Sequence, residues 1–477
     1  MHDPMTTNGP PAQPISEGPT GTLELERSQA LLSRARETVA GGDSSSQRVG
    51  QGQLPTVIEA GDGAYKMDAD GNRYLDLQAG YGPLLFGHRH PAVIEAVVRQ
   101  ARDSGTHFGM PHPLNAEVAE LICELVPGVD LVRFSASGSE AALQGLRLAR
   151  AATGRSTVLK FEGHYHGFSD SVSSKLHPSQ AEVSVVQPGA PGQPAACLAD
   201  LRLAPWNDEV ALLEALDDGL AAVICEPIMA NSGVIPPRPG YLELLRAETA
   251  RRGIVLIFDE VITGFRVAAG GAAERYGVTP DLVIMAKALG GGLPLAALGG
   301  TRDLMDLYAE RRATSGGTYA GSPIALAGAK ATLQMILERR QDLYPRLDRV
   351  AEQLQDGFRQ ALRANGIPAV VQGVGSIFQV FMVSRPIDAI HDYRTAVANV
   401  LPERFTLWQH ALQRHGVYVH PDQWELFFAS AVMDDEDVRL AVQAAERAAA
   451  ELYRGSLSES DDRALTSQDA GFADLSD

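Results

Sequence analysis

Residues 280–297 read "PDLVIMAKALGGGLPLAA". Leu282, Val283, Ile284 and Met285 form a short apolar run just after a proline, the pattern of a strand covered on both faces in a parallel sheet. Lys287 interrupts what is otherwise apolar or glycine-rich. An ammonium is costly to desolvate, so a lysine there stands at the wet mouth of the strand or is chemically employed.

Three more runs repeat the pattern: "STVLKFEG" (156–163), "AAVICEPI" (221–228) and "GIVLIFDEVITGF" (253–265), separated by helix-like segments. Strands alternating with helices imply βα units and a mostly parallel sheet. The expected fold is α/β, with a large domain at 81–335 and a smaller α+β domain built from 28–80 and 336–455. An extension, residues 1–27, is rich in Pro, Gly and Thr, and the tail 456–477 is polar and acidic. Neither has the apolar content to order itself.

Composition narrows the function. The chain has 477 residues, 45% hydrophobic and 21% charged, with a formal net charge of -18. That balance argues against a nucleic-acid binder, which concentrates positive charge. Cys123, Cys197 and Cys225 are far apart, without metal or redox spacing. No apolar run reaches the roughly 18 to 20 residues of a spanning helix, and the first residues lack a signal peptide's basic and apolar regions. A cytoplasmic enzyme acting on small molecules is the expectation, with no membrane partner.

Parallel sheets place ligands beyond the carboxyl ends of their strands. Three apolar runs end there in ionisable groups: Glu226, the pair Asp259-Glu260, and Lys287. Singly, such an acid is a helix cap or a solvated edge. Together they suit one chemistry. A desolvated lysine forms a Schiff base with an aldehyde, pyridoxal phosphate supplies the aldehyde, and a carboxylate such as Asp259 keeps the pyridine nitrogen protonated. Val261 would lie flat on one ring face if the strand continues.

"RFSASGSEAALQGLRLAR" (133–150) ends a strand and opens a helix. Ser137 and Glu140 have capping-box spacing, and Gly138 and Ser139 would present free N–H groups to a phosphate. In "KFEGHYHGFSD" (160–170), Tyr165 can stack on the ring face opposite Val261, with His166 beside it. The two histidines of that loop lack a third ligand for a metal site.

These segments together, with "YGVTPDLVIMAKALGGGLPLAALGG" (276–300) and "GGTYAGSPIALAGA" (316–329), resemble the class III, fold-type I pyridoxal-phosphate aminotransferases, in the branch of glutamate-1-semialdehyde 2,1-aminomutase. The resemblance runs from about residue 28 to 453 and implies specific roles. Lys287 resembles the Schiff-base lysine, Asp259 the pyridinium partner, and Val261 and Tyr165 the ring contacts; Lys287, Asp259 and Tyr165 are the catalytic candidates. Ser137, Gly138 and Ser139 match the phosphate cradle, and Glu226, Asn231 and His166 match cofactor-side positions. Thr318 resembles the threonine that reaches a neighbouring subunit's phosphate, which implies a homodimer with composite sites. Arg48 of "AGGDSSSQR", Tyr81 and Glu425 are the substrate-binding candidates.

Within that family the sequence favours intermolecular transfer from an amino donor to a carbonyl acceptor. Gln423 and Glu425 in "HPDQWELFF", and "APWND", resemble an aminomutase. However, the family's glycine-serine-glycine gate is replaced by "SSKLHPSQAEVSVVQPGAPGQP" (173–194), and Tyr81 stands where the mutase pattern has tryptophan. An intramolecular aminomutase is the alternative. A noncatalytic cofactor-binding module, like the aminotransferase-like half of certain transcription regulators, would carry a basic helix-turn-helix that residues 1–27 are too short to supply. A nicotinamide site at "GVGSIF" fails because Phe378 replaces the third glycine.

Overall fold

The computed structural model describes residues 23–48, 52–176, 178–179, 182–183 and 185–457. The proposed extension therefore lies outside the described residues up to residue 22, and the proposed tail from residue 458.

A helix over Glu26–Arg36 precedes an antiparallel meander of β1 (Ile58–Asp62), β2 (Tyr65–Asp68) and β3 (Arg73–Asp76). Seven strands follow: β4 (Leu131–Ser135), β5 (Thr157–Phe161), β6 (Leu201–Ala204), β7 (Leu220–Cys225), β8 (Val255–Glu260), β9 (Leu282–Met285) and β10 (Ala296–Gly300). They form one sheet in the order β4-β10-β9-β8-β7-β5-β6. Only β10 runs antiparallel to its neighbours. The remaining neighbours pair in parallel. Every residue of β7, β8 and β9 is buried, which is why these runs are apolar throughout rather than alternating.

The small domain is closed by β11 (Ala369–Val374), β12 (Ile377–Met382), β13 (Val417–Tyr418) and β14 (Phe427–Phe428). β11, β12 and β14 form a third sheet. β13 pairs in parallel with β3, Val417 opposite Leu75, so the two ends of the chain share one sheet as expected.

One helix of 42 residues, Pro323–Ala364, joins the two parts. Its Leu326, Leu333, Ile336 and Leu347 pack in the core against the large sheet, whereas Val350, Leu354 and Phe358 pack in the small-domain core. The division expected at 335/336 therefore falls inside a continuous helix, and the packing changes hands between Leu347 and Val350. Pro345, which has no N–H to give to the helical ladder, lies just before this change, and the helix continues through it.

Candidate active site

The register of the parallel strands builds the site. Ile224 lies opposite Ile257, Phe258 opposite Val283 and Asp259 opposite Ile284, so the carboxyl ends of β7, β8 and β9 reach the same edge. Glu226 directly follows β7, Asp259 is the penultimate residue of β8, and Lys287 stands two residues past β9. Alternation then separates the two neighbouring acids of β8. Asp259 turns toward His166, whose Nδ1 lies 2.8 Å from its Oδ2. Glu260 turns the other way and accepts the N–H groups of Ala272 and Ala273 at the start of the helix Gly271–Tyr276.

Lys287 is half-buried and opens a short 3-10 turn with φ +44°. Loss of water lowers its pKa, against the opposing charges of Glu425, Glu226 and Asp259. Asp259 is 6% exposed, and burial raises its pKa to about 7, against the Val261 N–H and the charges of Lys287 and Lys160. Its Oδ1 accepts from Val261 N at 3.1 Å. Val261 itself lies beyond the end of β8, so continued strand alternation does not place it. It reaches the site by the turn that follows, where a Cβ built on Gly138 would come within 2.9 Å of its Cγ2.

The helix Gly138–Thr153 opens as expected, with the Ser137 hydroxyl accepting from Glu140 N at 3.3 Å. The Glu140 carboxylate reaches back to Ala136 N, one residue earlier than a capping box requires. The N–H groups of Gly138 and Ser139 meet no acceptor among the described residues. Gly167 lies against this helix start with φ +85°, and a Cβ there would sit 2.7 Å from Ser139 Cα. We expect Gly167→Ala to fold but to bind the phosphate-bearing cofactor at least about tenfold more weakly, because both backbone angle and space oppose the added methyl. Equilibrium dialysis checks it; unchanged affinity would separate this contact from the cradle.

Tyr165 is half-buried, and its N–H donates to Glu226 Oε1 at 2.8 Å. The other oxygen of Glu226 accepts Ala230 N, Asn231 N and Asn231 Nδ2. Both oxygens are thus turned onto the protein, so Glu226 and Asn231 shape the loop that carries Tyr165. The histidines of "HYHG" are fully interior. His164 Nδ1 accepts from Glu226 N, while His166 backs Asp259, and Nε2 of each lacks a partner among the described residues. No group of three metal-ligating side chains occurs among the described residues.

On the small-domain side, Glu425 is half-buried and faces Lys287 electrostatically. Burial raises its pKa, against the pull of His420 and Lys287. Tyr81 stands with its ring 5.4 Å from that of His420. Arg48 is exposed, 3.4 Å from Asp43, and its charge reaches the Tyr81 phenol. Thr318 is exposed and makes no hydrogen bond to another site residue among the described residues.

Lys160 and Arg266 are among the buried cations that sequence reading passed over. Lys160, in the middle of β5, is 2% exposed and donates to Val172 O at 3.3 Å and Ser174 Oγ at 3.1 Å. Burial lowers its pKa to about 8, opposed by Glu226 and Asp259. A lysine in an apolar run was the available signal, the same one that Lys287 gives. Arg266 is fully buried and spans Gly82 O and Ala429 O.

A lysine, a buried acid and a helix start on this sheet topology define a fold-type I pyridoxal-phosphate enzyme. The family described as aminotransferase class-III matches residues 46–448. The chain is 41% identical to a glutamate-1-semialdehyde 2,1-aminomutase of Prosthecochloris aestuarii, over 88% of this chain and 97% of the relative. Its fold matches an omega-transaminase from Sphaerobacter thermophilus with a TM-score of 0.82 and 34% identity, covering 89% of this chain and 97% of that one. A glutamate-1-semialdehyde aminomutase from Pseudomonas aeruginosa PAO1 matches with a TM-score of 0.81 and 26% identity, covering 89% and 94%. This chain belongs to the class-III aminotransferases, whose cofactor is pyridoxal phosphate. The residues present fit that group: N–H groups of Gly138 and Ser139 that meet no acceptor among the described residues, a buried Asp259 beside the His166 ring, and a Lys287 whose pKa burial lowers.

Proposed function

We propose that this protein is an aminomutase of the glutamate-1-semialdehyde 2,1-aminomutase type, moving an amino group between adjacent carbons of one small molecule. The names of the curated relatives support this reading over the intermolecular transfer that the gate sequence favours. The observation that carries it in the site is Glu425. It is half-buried, burial raises its pKa, and its charge acts on Lys287. An anion there can hold the second ammonium of a diamine while nitrogen changes place.

Bound pyridoxal phosphate supplies an aldehyde that takes up nitrogen and a cationic ring that accepts the electrons of a broken C–H bond. Lys287, as free amine, removes a proton from the carbon bearing nitrogen and returns one to the neighbouring carbon. Asp259, held by His166 and Val261 N, would keep the ring nitrogen protonated. Tyr165 and Val261 would hold the ring, and Ser137, Gly138 and Ser139 would hold the phosphate. Arg48 pairs with the substrate carboxylate and Tyr81 forms the wall. Thr318 serves the site of a second copy in a homodimer.

The reaction is an isomerisation and needs no co-reactant. Glutamate 1-semialdehyde added to the cofactor-loaded protein should give its isomer, 5-amino-4-oxopentanoate, over many turnovers without another amine, as followed by chromatography. Turnover only when an amino donor is added, with one keto product released per transfer, would replace this reading with the aminotransferase one. Residues 173–194 favour that second reading. In place of a glycine-serine-glycine gate they include Gln193, whose Nε2 ties the segment down at Asp170 O and Ser173 O, each 2.7 Å away.

A further inference from the structure

Four successive residues, Ala79, Gly80, Tyr81 and Gly82, have φ of +47°, +64°, +68° and +103°. Glycine adopts such angles freely, whereas a Cβ crowds the following carbonyl, so Ala79 and Tyr81 are strained. Strain of this kind persists only where the surroundings over-determine it.

Here both ends of the turn are held. At its start Asp76 Oδ1 accepts from Gln78 N at 3.0 Å and Ala79 N at 3.1 Å. Asp76 is itself fixed, with Lys66 Nζ 3.0 Å from Oδ1 and His88 Nε2 2.8 Å from Oδ2. At its end Arg266 donates Nε and Nη2 to Gly82 O at 3.0 and 2.7 Å, and Nη1 to Ala429 O at 3.0 Å. A guanidinium buried on carbonyls, with no acid paired to it among the described residues, is costly. Gly82 is also pressed from the side, since a Cβ there would lie 2.8 Å from Phe428 Cε1. Between these clamps stands Tyr81, next to His420 and within the field of Glu425.

We propose that Asp76 and Arg266 are positioning residues that hold the turn Ala79–Gly82 in its left-handed shape, so that Tyr81 is a rigid wall that selects the substrate by its bulk and polarity beyond the reacting carbon. This rests on the reading of Tyr81 as part of the pocket.

The test uses cofactor-loaded protein in its pyridoxamine-phosphate form and follows the visible spectrum on adding glutamate 1-semialdehyde or propanal, a carbonyl-loading step shared by both functional readings. Asp76→Asn, which replaces the carboxylate that accepts from Gln78 N and Ala79 N, and Arg266→Lys, which gives up the two-pronged hold on Gly82 O, should each lose about tenfold in preference for glutamate 1-semialdehyde over propanal, through weaker apparent binding rather than a slower limiting rate. Ala79→Gly leaves both clamps in place and relieves the strain, so it should melt at the wild-type temperature or above and keep the wild-type preference. Where a clamp variant does not fold alone, the same substitution in the Ala79→Gly background decides. A preference within twofold of wild type in the folded clamp variants overturns the proposal. A wild-type protein that borohydride, applied to its pyridoxal-phosphate form, does not join to the cofactor at Lys287 would instead overturn the reading beneath it.

Discussion

Lys287→Ala protein should be slower by about 10⁴-fold or more, and borohydride should no longer join the cofactor to the chain. The expectation follows from two demands on one amine. It must be neutral to attack a carbonyl and to take a proton, and desolvation at the mouth of β9 lowers its pKa in that direction. It must also reach the cofactor beside Asp259, from a turn residue whose φ is +44°. Alanine keeps the turn but has no nitrogen. A small primary amine such as ethylamine, added to the variant, should restore part of the rate in proportion to its concentration. Lys160 is the rival, being buried with a pKa pulled down to about 8, but its amine is occupied by Val172 O and Ser174 Oγ. Peptide mass analysis after borohydride treatment distinguishes the two, and a label on Lys160 would refute the assignment.

Asp259→Asn should retain the cofactor while turnover falls by about 10³-fold, because an amide cannot keep the ring nitrogen cationic. The same variant has an opposite effect on the cofactor-free protein. Burial raises the folded-state pKa of Asp259 to about 7, well above the ordinary value of 3.8. A carboxyl raised on folding costs nothing below pH 4, costs progressively more as pH climbs from about 4 to 7, and reaches its full penalty above that. Asparagine removes the titration. The melting temperature of cofactor-free Asp259→Asn, relative to cofactor-free wild type, should therefore rise steadily between pH 4 and pH 7. A flat difference across that window would mean that Asp259 is not a desolvated acid, and wild-type turnover in the variant would remove it from the chemistry.

Much of this site was legible because its residues close apolar strands. Glu226, Asp259 and Lys287 each follow an uninterrupted run, and a parallel sheet delivers such ends to one edge. The same rule could not divide Asp259 from Glu260, since which one faces the cofactor depends on where β8 ends and which of its faces meets "HYHG". Nor could it tell Lys160 from Lys287. Both lysines interrupt apolar runs, yet one lies within β5 under the loop at 172–174 and the other past the end of β9. Glu226 was placed correctly at the edge, but its oxygens are turned onto Tyr165, Ala230 and Asn231.

By itself the chain determined the alternation of buried strands and helices, the acids and the lysine at the strand ends, and the helix start at Ser137. These are matters of local backbone preference and of which side chains tolerate burial, and both are written within a few neighbouring residues. Only the tertiary structure decided that Arg266 would grip Gly82, 184 positions away, that the 42-residue helix would serve two cores, and that Tyr81 would stand in a strained turn. Contacts of that span are set by strand order, register and the packing of distant surfaces, and no short stretch of sequence contains them.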